Sequence, residues 1–94
     1  MVHKALLLLR EIPKNRVTSY GELAKLTRSS PRAIGQIMKY NRELERYPCY
    51  KVIKSSGEIG GYSKGIRKKI SLLKKDGIEI KNGKIAEKCF HHFT

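Results

Sequence analysis

The chain is poor in acid, cysteine and tryptophan. Eight Asp and Glu face twenty-one Lys and Arg over 94 residues, a formal net charge of +13. An excess of that size favours a polyanion as partner, because each Lys or Arg laid on a phosphate releases condensed counterion. There are two cysteines, forty residues apart, and no CxxC pair. That excludes a disulfide framework and argues against a structural zinc site. No apolar run approaches the length of a membrane span. The longest, Ala5 to Leu9, is too short for a signal-peptide core and is soon followed by Glu11. There is no low-complexity stretch, and 39% of residues are hydrophobic, so the chain is expected to fold as one domain over residues 1–94 with a modest core. These features predict a monomeric, intracellular, cytoplasmic protein with no membrane partner.

The pattern that is present reads as short helices with local caps. Ala5, Leu6, Leu8, Leu9 and Ile12 give an apolar face to a helix over His3–Ile12, which Pro13 and Asn15 end. Val17-Thr18 reads as extended. Ser19-Tyr20-Gly21-Glu22 has the S-x-x-E form of a capping box before a helix over Tyr20–Leu26. After the polar turn Thr27-Arg28-Ser29, Ser30-Pro31 starts another helix, with Ser as N-cap and Pro in the first turn. Ala33, Ile34, Ile37 and Met38 form its buried stripe and Asn41 lies at its end. Two short helices on a tight turn in so basic a chain suggest a helix-turn-helix.

Lys51–Lys54 reads as a short strand. Ser55–Gly61 holds three of the eight glycines and reads as a loop. Ser63 caps a helix through Lys75 with Ile66, Ile70, Leu72 and Leu73 inward and lysines outward, closed by Gly77. Ile78–Ile80 and Ile85 flank an Asn82-Gly83 turn, a hairpin signal. The expected fold is mainly α with a small β component, a single winged helix-turn-helix domain. Residues 86–94 read as a mobile tail. Cys89, His91 and His92 lie there, but one cysteine and two adjacent histidines are a poor tetrahedral set, so no metal is expected.

Cys49, in the stretch YPCYKVI, is the candidate nucleophile. A thiolate is the competent form, and flanking Arg46 and Lys51 are expected to favour it. A nucleophile on a DNA-binding domain reaches a base by extruding it from the stack. That chemistry needs a plug, a push on the phosphate and a pocket permitting close approach. Arg32, Tyr20 and Gly60-Gly61-Tyr62-Ser63 are placed to supply them. The bland alternatives are a plain phosphate contact for Arg32 and half-buried core roles for Tyr20 and Tyr62.

These residues together resemble the C-terminal domain of the O6-alkylguanine-DNA alkyltransferases and the related alkyltransferase-like proteins. The likeness rests on Ile12-Pro13, Val17–Ala24, Ser30-Pro-Arg-Ala-Ile-Gly35, Asn41, Pro48-Cys49, Ser55-Ser-Gly, Gly60-Gly-Tyr-Ser63, Leu72-Leu73 and Asp76-Gly77, and covers roughly residues 5 to 85. It implies a suicide transfer without cofactor, in which Cys49 takes the O6-alkyl group of a flipped guanine in double-stranded DNA, as a methylated-DNA–protein-cysteine S-methyltransferase. It implies catalytic roles for Cys49, Tyr50, Asp76 and Asn41. Tyr20, Ser30, Arg32, Ala33, Gly35 and Lys51 would contact DNA, and Tyr20, Pro48, Gly60, Tyr62 and Ser63 would line the pocket. The sequence departs from the family where its PCHRV motif has histidine: Tyr50 stands there, with Lys51 for the arginine and Asp76 for a glutamate. The other implied function is that of the alkyltransferase-like proteins, which flip the lesion and recruit nucleotide excision repair. They usually carry tryptophan where this chain has Cys49.

Overall fold

The computed structural model describes residues 3–93. The first helix, α1, spans Lys4–Leu9, and His3 caps it by accepting from the Ala5 amide at 3.0 Å. It stops short of the expected Ile12. Ile12 precedes Pro13, which disfavours helical backbone there. The chain therefore tightens into i→i+3 bonds, Glu11 N–H to Leu8 and Ile12 N–H to Leu9.

Strand β1 (Thr18–Ser19) leads directly into α2 (Tyr20–Thr27). The Ser19 hydroxyl accepts from the Glu22 amide at 3.0 Å, as an S-x-x-E start requires. The turn after α2 places Arg28 in the left-handed region, φ 55°. Ser30 then caps α3 (Pro31–Lys39) through the Ala33 amide at 3.1 Å, with Pro31 in the first turn. α2 and α3 form the helix-turn-helix.

Strand β2 (Val52–Ile53) pairs parallel with β1, Thr18 opposite Val52 and Ser19 opposite Ile53. This small seam separates two cores. Successive strand residues point to opposite sides, so Val52 joins Ala5, Leu9, Leu23, Ile34, Met38, Tyr47 and Cys49 on the helical side. Ile53 joins Val17, Ile59, Leu73, Ile78 and Ile85 on the other.

The fourth helix, α4, spans Ile66–Lys75 and corrects the sequence reading in three ways. Ser63 does not cap it; Gly65 precedes it, at φ 93°, a conformation that only glycine adopts easily. Ile66, expected inward, is 51% exposed. Lys69, expected outward, is fully buried. Gly77 (φ 87°) ends the helix as expected, with Gly77 N–H to Lys74 and Ile78 N–H to Leu73. Strands β3 (Ile80–Lys81) and β4 (Lys84–Ile85) form the antiparallel hairpin. Its turn residues Asn82 and Gly83 both have positive φ.

The segment expected as a loose tail makes backbone contact with the body. Val17 donates to the Cys89 carbonyl at 2.8 Å and His91 donates to the Val17 carbonyl at 2.7 Å. Thr94 lies outside the described residues. Among the described residues, no helix is long and apolar enough to cross a membrane, and no group of three His, Cys, Asp or Glu is gathered for a metal ion.

Candidate functional site

The loop from Asn41 to Tyr47 carries the chain from the end of α3 to Cys49. Its buried clamp is Asn41. The side-chain amide donates to the Tyr47 carbonyl at 2.8 Å, and the side-chain oxygen accepts from the Glu43 amide at 3.1 Å. A side chain that bonds both the third residue and the last of this loop fixes where the loop ends. Cys49 follows in a single 3-10 turn, Cys49–Lys51, with its amide bonded to the Tyr47 carbonyl at 2.8 Å.

The Cys49 side chain is 4% exposed and borders a cavity of about 340 Å³. Tyr20, Gly35, Met38, Lys39, Gly61, Tyr62 and Ser63 complete the lining. This is the low end of the size range of small-molecule sites, sufficient for one flat heterocycle. Of the residues expected to line the pocket, Tyr20, Gly61, Tyr62 and Ser63 gather here. Gly35, expected against DNA, joins them with Met38 and Lys39. Gly60 instead borders an adjoining cleft of about 440 Å³ with Pro31, Lys54 and Ser55. It packs on the Tyr20 ring at φ 75°, where an added Cβ would lie 3.5 Å from the ring. Pro48, expected in the pocket wall, precedes the turn as its N-cap and does not border the cavity.

The electrostatics differ from expectation at three residues. Arg46 is exposed, 3.7 Å from Glu43, so it does not sit on the thiol. Lys51, expected against DNA, is 5% exposed. Its ammonium donates to the Pro13 carbonyl at 2.9 Å and lies 2.8 Å from Asp76 Oδ2. At that distance the ion pair is attractive whether or not an N–H is aligned on the carboxylate. Asp76 is thus held by Lys51. Tyr50 feels the charge of the same carboxylate, and it packs with the second core rather than on the cavity. Burial, the charge of Asp76 and its hydrogen bond push the Tyr50 phenol up to about 12. At neutral pH it is a donor and cannot take a proton from a thiol.

Burial also pushes the Cys49 thiol up. The Asn41 side chain, the Lys69 charge and a backbone amide oppose it. Lys69 is the cation that sequence reasoning missed. Its Nζ donates to the carbonyls of Val52 (2.6 Å) and Gly61 (3.0 Å) and lies 5.8 Å from the centre of the Tyr20 ring. Burial lowers its ammonium to about 8, and the neighbouring Cys49 counteracts part of that shift. A signal was available: Lys69 stands one turn before Leu73 on the apolar stripe of α4.

On the outer side, Arg32 is exposed in the first turn of α3, two residues after the Ser30 cap. Ala33 and Gly35 follow on the same helix, half-buried, and an added Cβ on Gly35 meets nothing within 4 Å. Lys25, Arg28, Lys39, Lys54 and Lys64 are exposed on α2, the turn, α3 and the pocket loops. The nucleophile pocket therefore adjoins a basic helix-turn-helix.

Comparison with known proteins gives the same frame. Residues 1–78 match the family model described as 6-O-methylguanine DNA methyltransferase, DNA binding domain. The chain is 50% identical over 80 residues to a bifunctional methyltransferase/endonuclease of Picrophilus torridus, covering 83% of this chain and 27% of that protein. It is 40% identical over 70 residues to a methylated-DNA–protein-cysteine methyltransferase of Saccharolobus islandicus, covering 74% of this chain and 46% of the other. The chain thus spans less than half the length of these relatives. Among solved structures, the O6-methylguanine-DNA methyltransferase of Pyrococcus kodakaraensis superposes with a TM-score of 0.74 at 39% identity, over 80% of this chain and 44% of that one. S. pombe Atl1, solved with damaged DNA containing O6-carboxymethylguanine, gives 0.84 at 27% identity, over 95% of this chain and 92% of that one.

Proposed function

The chain belongs to the 6-O-methylguanine DNA methyltransferase family through its DNA-binding domain, and from that premise we propose that it repairs DNA by accepting the O6-alkyl group of a flipped guanine on Cys49. The observation that carries this reading is the position of the thiol. Cys49 lines a base-sized cavity shared with Tyr20, Tyr62 and Ser63 and with α3, the second helix of the helix-turn-helix. A sensor of the lesion has no use for a nucleophile at that point. The transfer is a single displacement. The sulfur bonds to the alkyl carbon, the C–O6 bond breaks, and the electron pair stays on the guanine. It needs no metal and no cofactor, and it runs once per chain.

The remaining parts have assigned roles in this proposal. Arg32 fills the space that the flipped base leaves. Tyr20, at the first turn of α2, presses the adjacent phosphate. Ser30, Ala33 and Gly35 bring the start of α3 against the duplex, where an N-terminus favours phosphate. Gly61 and Ser63 present backbone to the base, and Asn41 fixes the loop that delivers Cys49. The chain acts as a monomer on alkylated duplex DNA.

A second reading is favoured by Tyr50 and by the near full-length match to S. pombe Atl1. In it the chain binds and flips the lesion, and excision-repair proteins act afterwards. Intact mass separates the two after mixing with a duplex that carries one O6-methylguanine. A gain of one methyl in place of hydrogen, mapped to the Cys49 peptide and lost in Cys49→Ser, is the expected result. Tight, lesion-selective binding without a mass change would instead establish the sensor.

A further inference from the structure

Two clefts adjoin the Cys49 cavity, and they differ in what lines them. One shares Tyr20, Gly35 and Gly61 with the cavity and is also lined by Gly21 and Pro31, at the starts of α2 and α3. Under the proposed function that side faces the duplex. The other, of about 410 Å³, shares Lys39 and Ser63 with the cavity. The rest of its lining comes from the end of α3, from the loop that delivers the thiol (Asn41, Arg42, Leu44) and from Lys64.

The charge of this second cleft is of one sign. Lys39, Arg42 and Lys64 line it, and no carboxylate does. Among the described residues, the ion pairs are Arg46–Glu43 and Lys51–Asp76, so these three cations have no carboxylate partner. Glu43 and Glu45 belong to the same loop, but neither lines the cleft, and Glu43 lies 3.7 Å from Arg46. Lys39 Nζ lies 5.8 Å from the centre of the Tyr40 ring, which leaves its charge without a counter-ion. Leu44, half-buried, gives the cleft an apolar surface as well. Such a lining suits a group with a hydrocarbon stem and an anionic end.

We propose that this cleft is a subsite for O6 substituents that are longer than methyl and end in an anion, with Lys39 and Lys64 recognising the charge. This rests on the reading of the Cys49 cavity as the seat of the flipped O6-alkylguanine. There the alkyl carbon faces the thiol. The sulfur approaches that carbon in line with its bond to O6, so whatever else the carbon carries projects to the side. A methyl carries only hydrogens and makes no demand on the wall. A longer chain has to pass the lining, and Lys39 and Ser63 border both the cavity and the cleft. Arg42 also borders a groove beside α1, so the two lysines are the residues that belong to this cleft by charge and to its boundary by position.

The lysines are exposed, so an ion pair with either is modest and screened by salt. The test compares duplexes that differ only in the charge of the substituent. One carries O6-(3-carboxypropyl)guanine, the second carries the corresponding O6-(3-carbamoylpropyl) amide, and the third carries guanine. Cys49→Ser is used so that binding is read without transfer. Fluorescence anisotropy at low salt is expected to show the acid bound about fivefold more tightly than the amide, and the amide more tightly than the intact duplex. With Lys39→Gln and Lys64→Gln added, acid and amide are expected to bind alike. Both lesions share one DNA backbone, so their ratio cancels phosphate contacts. Equal binding of acid and amide before the lysines are changed would overturn the subsite. So would a constant acid-to-amide ratio while affinity falls for all three duplexes, which would assign both lysines to backbone phosphate. No preference for either lesion over guanine would overturn the base-seat reading, and the subsite with it.

Discussion

At a buried lysine the partner decides what substitution does. Lys51 neutralises Asp76, and Asp76 occupies the C-cap of α4, where the helix dipole disfavours a carboxylate. Removing the ammonium leaves that carboxylate buried and unpaired. Lys51→Met is expected to destabilise the chain by about 3–5 kcal/mol, out of a total of about 5–15 kcal/mol for a domain. Urea denaturation measures it. A surface DNA contact would move stability by no more than about 0.5 kcal/mol, so a change that small would restore Lys51 to the DNA side. Cys49 was legible only through the ordered set of motifs around it, since a lone cysteine after proline reads as well as a small buried side chain. Lys51 and Lys69 were misread for a shared reason. A lysine is exposed by default, and the carbonyls of Pro13, Val52 and Gly61 that reverse this default belong to other parts of the chain.

The elements most faithful to the sequence are those whose ends are set by near neighbours. Ser19 and Ser30 bond amides three residues on, and the Asn82-Gly83 turn closes between adjacent strands. The parallel pairing of β1 with β2 had no such signal, because Thr18 and Val52 are joined only by the fold. The start of α4 was hidden by a local conflict. Ser63 has the chemistry of a cap, but Gly65 two residues later takes a backbone angle that interrupts the helix. This leaves Ser63 on the cavity wall. The helix-turn-helix turn holds a similar tension, since Arg28 adopts φ 55° without being glycine. A left-handed L-residue costs roughly 1–2 kcal/mol, part of which glycine gives back in unfolded-state entropy. Arg28→Gly is therefore expected to raise stability by about 0.5–1 kcal/mol, read as a rise in the urea midpoint. A lower midpoint would mean that the Arg28 side chain contributes packing or charge that outweighs the strain.

Across the whole molecule, the charge of +13 is spread over exposed side chains, and some of those cations lie on the helix-turn-helix and the pocket loops. Lys25, Arg28, Arg32, Lys39, Lys54 and Lys64 are all exposed there. If about four of them reach phosphates, the logarithm of duplex affinity falls against the logarithm of salt with a slope of about −3.6. Titration of an unmodified duplex at several salt concentrations reads that slope, and a value shallower than about −1 would remove the argument from charge. The same measurement separates two roles for Arg32. A phosphate contact, once removed, lowers the slope by about one whatever the base opposite it. A side chain that enters the stack on base extrusion contributes instead to the difference between lesion and intact duplex. Arg32→Ala is accordingly expected to keep most of the salt slope and to lose most of the preference for O6-methylguanine. An equal loss of affinity on both duplexes, with the slope reduced by about one, would make Arg32 an ordinary phosphate contact and leave base extrusion to other residues around the cavity.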